Sequence, residues 1–443
     1  MQSVLNREEF MENFNPQAVE LNENIQRDNA NVLNMLSMRG KGIFFPKKGI
    51  LGQSADAKGK EINATIGIAL EDDGSPLRLG CIDDLIDVEP AAAFPYAPSF
   101  GRPDLRSNWK TMIYEKNPSL QGTEISSPVV TCALTHGLSM SGYLFADEGD
   151  QLISPDLYWG NYRLIFRNTY SVEIETYETF EGNRFNVSGL RDVLLGSPAK
   201  KCLVSLNFPN NPTGYTPTVL EVERIRDVLV EAANGGRDIV ALIDDAYFGL
   251  VYEKGIARES IFAALANAHE RLLAVKIDGA TKEDYAWGFR VGYITYAIKG
   301  GSKSVYEALE AKTAGAIRGT ISNGSNLSQS LLNAAYKNEN YNQQKREKYQ
   351  TLQRRYIKVK EILSTHPEYE KCFTALPFNS GYFMCLKPIT VDPEKVRQIL
   401  LSDFSTGIIV ASGVMRLAFS STPFDLLEKL FDNIFQACQE AKA

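Results

Sequence analysis

The chain of 443 residues has little histidine, three residues in all, and no cysteine pair at the C-x-x-C spacing of a zinc or redox motif. Its six cysteines, Cys81, Cys132, Cys202, Cys372, Cys385 and Cys438, are scattered, and most lie in apolar runs. No metal site is expected, and the cysteines read as reduced core residues of a cytoplasmic protein. There is no basic excess either. Lys and Arg number 47 against 54 Asp and Glu, a net charge of −7, with a pI near 5.4. That argues against a nucleic-acid or anionic-membrane partner, both of which need a positive face. No apolar run approaches the roughly 20 residues of a membrane span. The start, MQSVLNREEFMENF, is polar and acidic, unlike a signal peptide. Internal repeats and low-complexity tracts are also lacking.

What is present suits a large folded core. Hydrophobic residues make up 44% and charged residues 23%, ordinary for a globular protein, and the length favours two domains. Residues 17–39 carry apolar positions at helical spacing, followed by a Gly/Lys-rich arm over 41–60. EINATIGIALEDDGSPL, from residue 61, reads as a strand running into a turn. From about 125 to 300, short β-rich runs (SPVVTCAL, DQLISP, RLIFRN, SVEIETY, KCLVSLNF, DIVALIDD, RLLAVKI, GYITYAI) alternate with helical stretches. Such alternation predicts βαβ units and a mainly parallel sheet flanked by helices. From about 339 a long charged amphipathic helix leads into a small α+β unit. The expected division is an N-terminal helix and arm (1–60), a large α/β domain (61–325, with 61–90 packing against the small unit) and a small C-terminal α+β domain (326–443).

Four polar signals fall at the ends of predicted strands in the large domain, where open α/β sheets bind ligands. They are THGLS (135–139) opening a helix, PNNPTG (209–214), DDAYFG (244–249), and the small-residue turn Gly279-Ala280-Thr281 before Lys282. Eight residues beyond Lys282 stands Arg290, between Gly288 and Gly292. Each signal alone is weak: Asn-Pro and Thr-Gly are common turn dipeptides, and Asp at a strand end is often a helix cap.

In order and spacing, over residues 62 to about 420, these signals resemble the class I/II aminotransferases, fold-type-I enzymes that use pyridoxal 5′-phosphate. The resemblance implies that Lys282 is the lysine that bonds the cofactor aldehyde, an amine that must lose its proton to attack. It implies that Arg290 binds the cofactor phosphate through a planar, bidentate guanidinium. Asp244, in the D-x-A-Y frame with Tyr247, would hold the pyridine nitrogen protonated; Asp245 is the neighbouring alternative. Tyr247 and Asn211 would reach the cofactor's phenolic oxygen, with Asn210 the competing frame for the asparagine. Thr135, His136, Gly137 and Leu138, running to Ser139, would form a phosphate cup from helix amides. His136, Leu138 and Gly279 depart from the family's usual residues there. In PDLYWGNY, Trp159 would stack on the ring and Tyr162 lie near Asp244. Tyr96, in the segment AAAFPYAPSFGRPDLR, would cross a dimer interface to the neighbour's phosphate, which implies a homodimer with shared sites.

On the substrate side, Arg416 in VMRLAFSS matches the arginine that clamps the α-carboxylate, and Gly67 the glycine whose backbone borders the substrate. AIRGTISNGSN resembles the run in which Arg318 would bind a distal carboxylate across the interface and Ser322 would touch the neighbour's phosphate. The family's Pro-Pro after Ser-Asn is replaced here by Gly-Ser. The resemblance thus implies an aminotransferase acting between an amino acid and a 2-oxoacid, with a dicarboxylate (glutamate/2-oxoglutarate or aspartate) on one side. A β-lyase or amino-acid decarboxylase on the same scaffold is the alternative. A cofactor-sensing regulator is disfavoured, because a DNA-binding segment is not evident ahead of the scaffold.

Overall fold

A computed structural model describes residues 14–45, 49–85 and 88–442. The acidic N-terminal stretch 1–13 and residues 46–48 of the arm lie outside the described residues. The central feature is a seven-stranded sheet. Its strands are β1 (Val129–Cys132), β2 (Gln151–Pro155), β3 (Glu173–Tyr177), β4 (Lys201–Asn207), β5 (Asp238–Asp244), β6 (Leu272–Gly279) and β7 (Val291–Ala297). They lie in the order β1-β7-β6-β5-β4-β2-β3. The sheet is mixed rather than wholly parallel, since β7 runs antiparallel to both β6 and β1. Residues 280–290 are too few for a crossover helix, so the chain can only double back. β4, β5 and β6 are buried almost throughout, as strands covered on both faces must be. Helices such as Val219–Asn234, opened by a capping box between Thr218 and Glu221, pack over them.

A four-stranded antiparallel sheet is built from β8 (Phe373–Ala375), β9 (Phe383–Pro388), β10 (Ile409–Ala411) and β11 (Val414–Ala418), in the order β8-β9-β11-β10. The 25-residue helix Tyr341–Thr365 leads to it, and Leu427–Lys442 closes the fold. The N-terminal segment is stitched to this smaller sheet. Ile62–Asn63 pairs with Thr406–Gly407, and Ala418 N donates to Ala64 O at 2.9 Å.

Two expected strands are corrected. RLIFRN is a helical turn, Arg163–Asn168. Tyr162, Ile165 and Phe166 are the buried residues there, a spacing of three and one that suits a helix face rather than strand alternation. In EINATIGIALEDDGSPL only Ile62–Asn63 is a strand, and Leu70 bridges back to Pro76. Backbone groups of this segment are satisfied one at a time by the small sheet and its exit, as when Leu70 N donates to Ser420 O.

The two sheets are joined at Gly214. Its carbonyl accepts from Asn379 N and Ser380 N, both at 2.9 Å. Gly214 sits at φ +72°, and a Cβ there would lie 1.9 Å from Phe383 O, a contact with backbone that cannot move aside. Gly214→Ala is therefore expected to destabilise the fold by about 2–3 kcal/mol, read as a lower midpoint in urea unfolding.

Candidate active site

The register of the large sheet assembles the site. Asp244 ends β5 beside Asn207 of β4 and Ile277 of β6. Gly292 of β7 lies opposite Gly279 on one side and Thr131 on the other. One edge therefore gathers the end of β1, the turn after β6 and Arg290 just ahead of β7. The close approach requires glycine: a Cβ on Gly292 would come within 2.7 Å of the Ala133 backbone, and one on Gly279 within 2.6 Å of Val291 O.

β6 runs through Gly279 into a single helical turn, Ala280–Glu283, which presents Lys282. The Lys282 amine is half-buried and lies 4.8 Å from the centre of the Tyr247 ring. Burial lowers its pKa from the ordinary 10.5 to about 8; Asp244 opposes the shift and Arg290 adds to it. Arg290 adopts a left-handed backbone (φ 55°), is exposed, and among the described residues donates only to Trp287 O at 3.3 Å.

Asp244 is buried, and burial pushes its carboxyl up. The Tyr162 hydroxyl, which donates to Oδ2 at 2.7 Å, and the nearby Lys282 amine pull it back. Trp159 meets Tyr162 edge to face, with centroids 5.9 Å apart. Asp245 turns instead to Ser260 and to Lys276. That separates the two neighbouring aspartates: Asp244 is the one coupled to Lys282. The asparagines separate as well. Asn210 caps its own loop by accepting from Thr213. Asn211 lies close enough to Tyr247 to oppose the rise in its pKa, and it accepts from Arg416 Nη1 at 3.3 Å.

Arg416, on β11, is buried, with Nη2 donating to Thr65 O at 3.3 Å and its guanidinium 4.3 Å over the Phe383 ring. Among the described residues it has no carboxylate partner, and its Nε has no hydrogen bond at all. Burial lowers its pKa. A buried cation with an unfilled donor calls for an anion.

The expected start of the helix after β1 is corrected. The helix begins at Ala133, not Thr135, because Ala133 takes a left-handed turn (φ 60°) directly out of β1. The unpaired amides of its first turn are those of Ala133, Leu134 and Thr135, while Cys132 N donates to His136 Nδ1 at 3.1 Å. Gly137 and Leu138 fall in the second turn, where amides belong to the helix ladder. Gly137 packs against Ile277, Leu138 lies in the core, and Ser139 pairs with Tyr170. Counting from the last residue of VVTC would have found this helix start. His136 is driven toward its neutral form by burial.

Tyr96, Arg318, Ser322 and Gly67 are placed differently. Tyr96 is 91% exposed. Arg318 Nη1 donates to Ser322 Oγ at 2.8 Å, and Gly67 faces open space. Among the described residues, no hydrogen bond or ion pair joins these four to the group around Lys282.

With this geometry in place, the sequence profile described as Aminotransferase class I and II matches residues 87–424. The chain belongs to that family. Its members use pyridoxal phosphate. Similar curated proteins include an aspartate aminotransferase of Geobacillus stearothermophilus, 28% identical over 48% of this chain and 50% of its own length. Another is an aromatic-amino-acid aminotransferase of Thermococcus litoralis, 27% identical over 45% of this chain and 48% of its own length. The chain spans about half the length of the curated relatives it matches. Among solved structures, an aminotransferase from Anaerococcus prevotii superposes with a TM-score of 0.81 at 23% identity, covering 92% of this chain and all of the other. The cytoplasmic aspartate aminotransferase of Saccharomyces cerevisiae gives 0.74 at 19%, over 93% of this chain and all of its own. These likenesses concern the fold.

The residues present fit the family's cofactor. Asp244 offers a buried carboxylate suited to a pyridine N–H, Lys282 offers an amine near neutrality, and the helix amides at Ala133–Thr135 with Arg290 suit a phosphate. Metal-binding clusters are not found among the described residues, nor is any helix there long and apolar enough to cross a membrane. Amine-selective labelling of Lys282 should rise with pH through a midpoint of about 8, because only the neutral amine reacts. Arg290→Gln should move that midpoint up, since loss of a neighbouring cation favours the protonated form. A midpoint near 10.5 would contradict the desolvated setting.

Proposed function

We propose that this protein is a pyridoxal-phosphate-dependent aminotransferase, moving an amino group between an amino acid and a 2-oxoacid. The observation that carries the reading is the pairing of a lysine amine lowered to about 8 with a buried arginine that lacks a carboxylate partner. One can bond a carbonyl and carry a proton; the other can fix a substrate carboxylate. When bound, the cofactor supplies the aldehyde that takes up the amino group and a ring that draws electrons from Cα.

The chain's residues have the following parts. Lys282 holds the cofactor and then moves a proton at the substrate Cα. Asp244, oriented by Tyr162, keeps the ring nitrogen protonated, and Trp159 covers the ring face. Asn211 and Tyr247 bind its phenolic oxygen. Arg290 and the amides of Ala133, Leu134 and Thr135 hold the phosphate, with His136 ordering the turn beneath them. Arg416 orients the α-carboxylate so that the Cα–H bond faces Lys282, while the Gly67 backbone borders the substrate. Tyr96, Ser322 and Arg318, all at the surface of one chain, complete the site of a second copy in a homodimer. The two sheets act as a large and a small domain, with boundaries near 60 and 325, and closure brings Arg416 toward the ring. Six unbridged cysteines suit a cytoplasmic setting.

For the substrate, we favour a dicarboxylate, glutamate/2-oxoglutarate or aspartate. Arg318 is exposed and makes no ion pair among the described residues, and several relatives are named aspartate aminotransferases. The test is a half-reaction screen: holoenzyme is mixed with each amino acid in turn, and loss of the visible cofactor absorption is followed. Glutamate and aspartate should convert it fastest. Arg318→Ala should cost about tenfold to a hundredfold in kcat/KM for these two and spare the neutral amino acids. An equal loss for all amino acids would remove the dicarboxylate reading.

A further inference from the structure

Two more charged residues follow Lys282 directly, Glu283 and Asp284, both buried. Glu283 Oε1 accepts from Lys116 Nζ at 2.6 Å and from Lys345 Nζ at 3.0 Å. Asp284 Oδ1 accepts from the same Lys345 amine at 3.0 Å and from the Tyr341 hydroxyl at 2.5 Å; Oδ2 accepts from Tyr336 at 2.8 Å. Among the described residues, Lys345 alone bridges both carboxylates. These ties bear on backbone that needs them, because Tyr285, next in the chain, holds a left-handed conformation at φ 54°. A bulky residue persists there only where its surroundings determine it.

Lys345 and Tyr341 open the helix Tyr341–Thr365. Further along the same helix, fully buried Arg355 donates Nη1 to Ser420 O at 2.5 Å and Nη2 to Asp72 at 2.7 Å. Ser420 lies two residues past the end of β11, the strand that carries Arg416. Ten residues of helix, about 15 Å, thus separate a hold on the Lys282 turn from a hold on the Arg416 strand. We propose that Lys345 is a positioning residue for Lys282, tying the turn that presents the reactive amine to the helix that braces the Arg416 strand. This rests on Lys282 being the cofactor lysine.

The charges around the clamp set the expected signs. Lys116 faces Glu283 from the helix Pro103–Lys116. Asp278 and Lys276 of β6, with Asp245 after β5, form the neighbouring buried cluster. Cys81 approaches Asp284 from the helix Gly80–Asp83. Lys282 itself faces Asp244, Arg290 and Tyr247. Without Lys345, Glu283 would keep Lys116 while Asp284 would keep only its two tyrosine hydroxyls among the described residues, and the extra negative potential would favour a protonated nitrogen at residue 282.

The experiment is a pH titration of the visible cofactor absorption in holoenzyme, with borohydride attachment of the cofactor to Lys282 shown first. Failure of that attachment defeats the functional reading, separately from this proposal. Lys345→Met should move the midpoint up by about half to one unit. Glu283→Gln should move it down, the paired variant should return toward wild type, and Lys345→Arg should leave it in place. A merely structural lysine would lower stability without opposed, mutually cancelling shifts. If Lys345→Met does not retain cofactor, Glu283→Gln alone decides by the presence or absence of the downward shift. Unmoved midpoints in the variants that retain cofactor would overturn the proposal.

Discussion

The structure turns on keeping one amine partly out of water. A lysine at the surface is charged at neutral pH and unreactive toward a carbonyl. Lys282 is drawn toward neutrality by burial, with Arg290 adding to the effect and Asp244 limiting it. Each of those three groups sits where it does because a strand ends there. β5 delivers Asp244, β6 delivers the lysine turn, and β7 is forced to double back with Arg290 ahead of it. The glycines at 279 and 292 let the strands come close enough for this.

The second constraint is a buried cation with an unfilled donor. Arg416 is buried against Phe383 and held by Asn211 and Thr65, without a carboxylate among the described residues to neutralise it. Leaving such a group under-satisfied costs stability, a cost that makes sense where a ligand carboxylate fills the gap. Its three supports come from different parts of the chain: the loop after β4, the N-terminal segment and the smaller sheet. The joint at Gly214 and the helix Tyr341–Thr365 keep those parts in register.

Much of this arrangement was legible in the sequence. Apolar runs such as KCLVSLNF, DIVALIDD and RLLAVKI stop at polar residues, and that punctuation put Asn211, Asp244 and Lys282 at strand ends. Tyr162 beside Asp244 was also foreseen. Other features lie beyond local pattern. RLIFRN has strand-like composition yet folds as a helical turn, because burial follows tertiary packing rather than propensity. The helix after β1 opens at Ala133 in a left-handed conformation that nothing in the residue type announces, so the start of that helix was read two residues late. The clamp on Glu283 joins residues 62 apart, and no spacing rule reaches that far.

The central claim is that Lys282 is the amine that holds the cofactor. The most direct measurement is borohydride reduction of the holoenzyme, followed by proteolysis and mass mapping of the modified peptide. The account predicts a single modified lysine, Lys282. Modification at Lys276, the buried lysine of the strand that leads into the same turn, or a failure of any lysine to retain the cofactor, would contradict it.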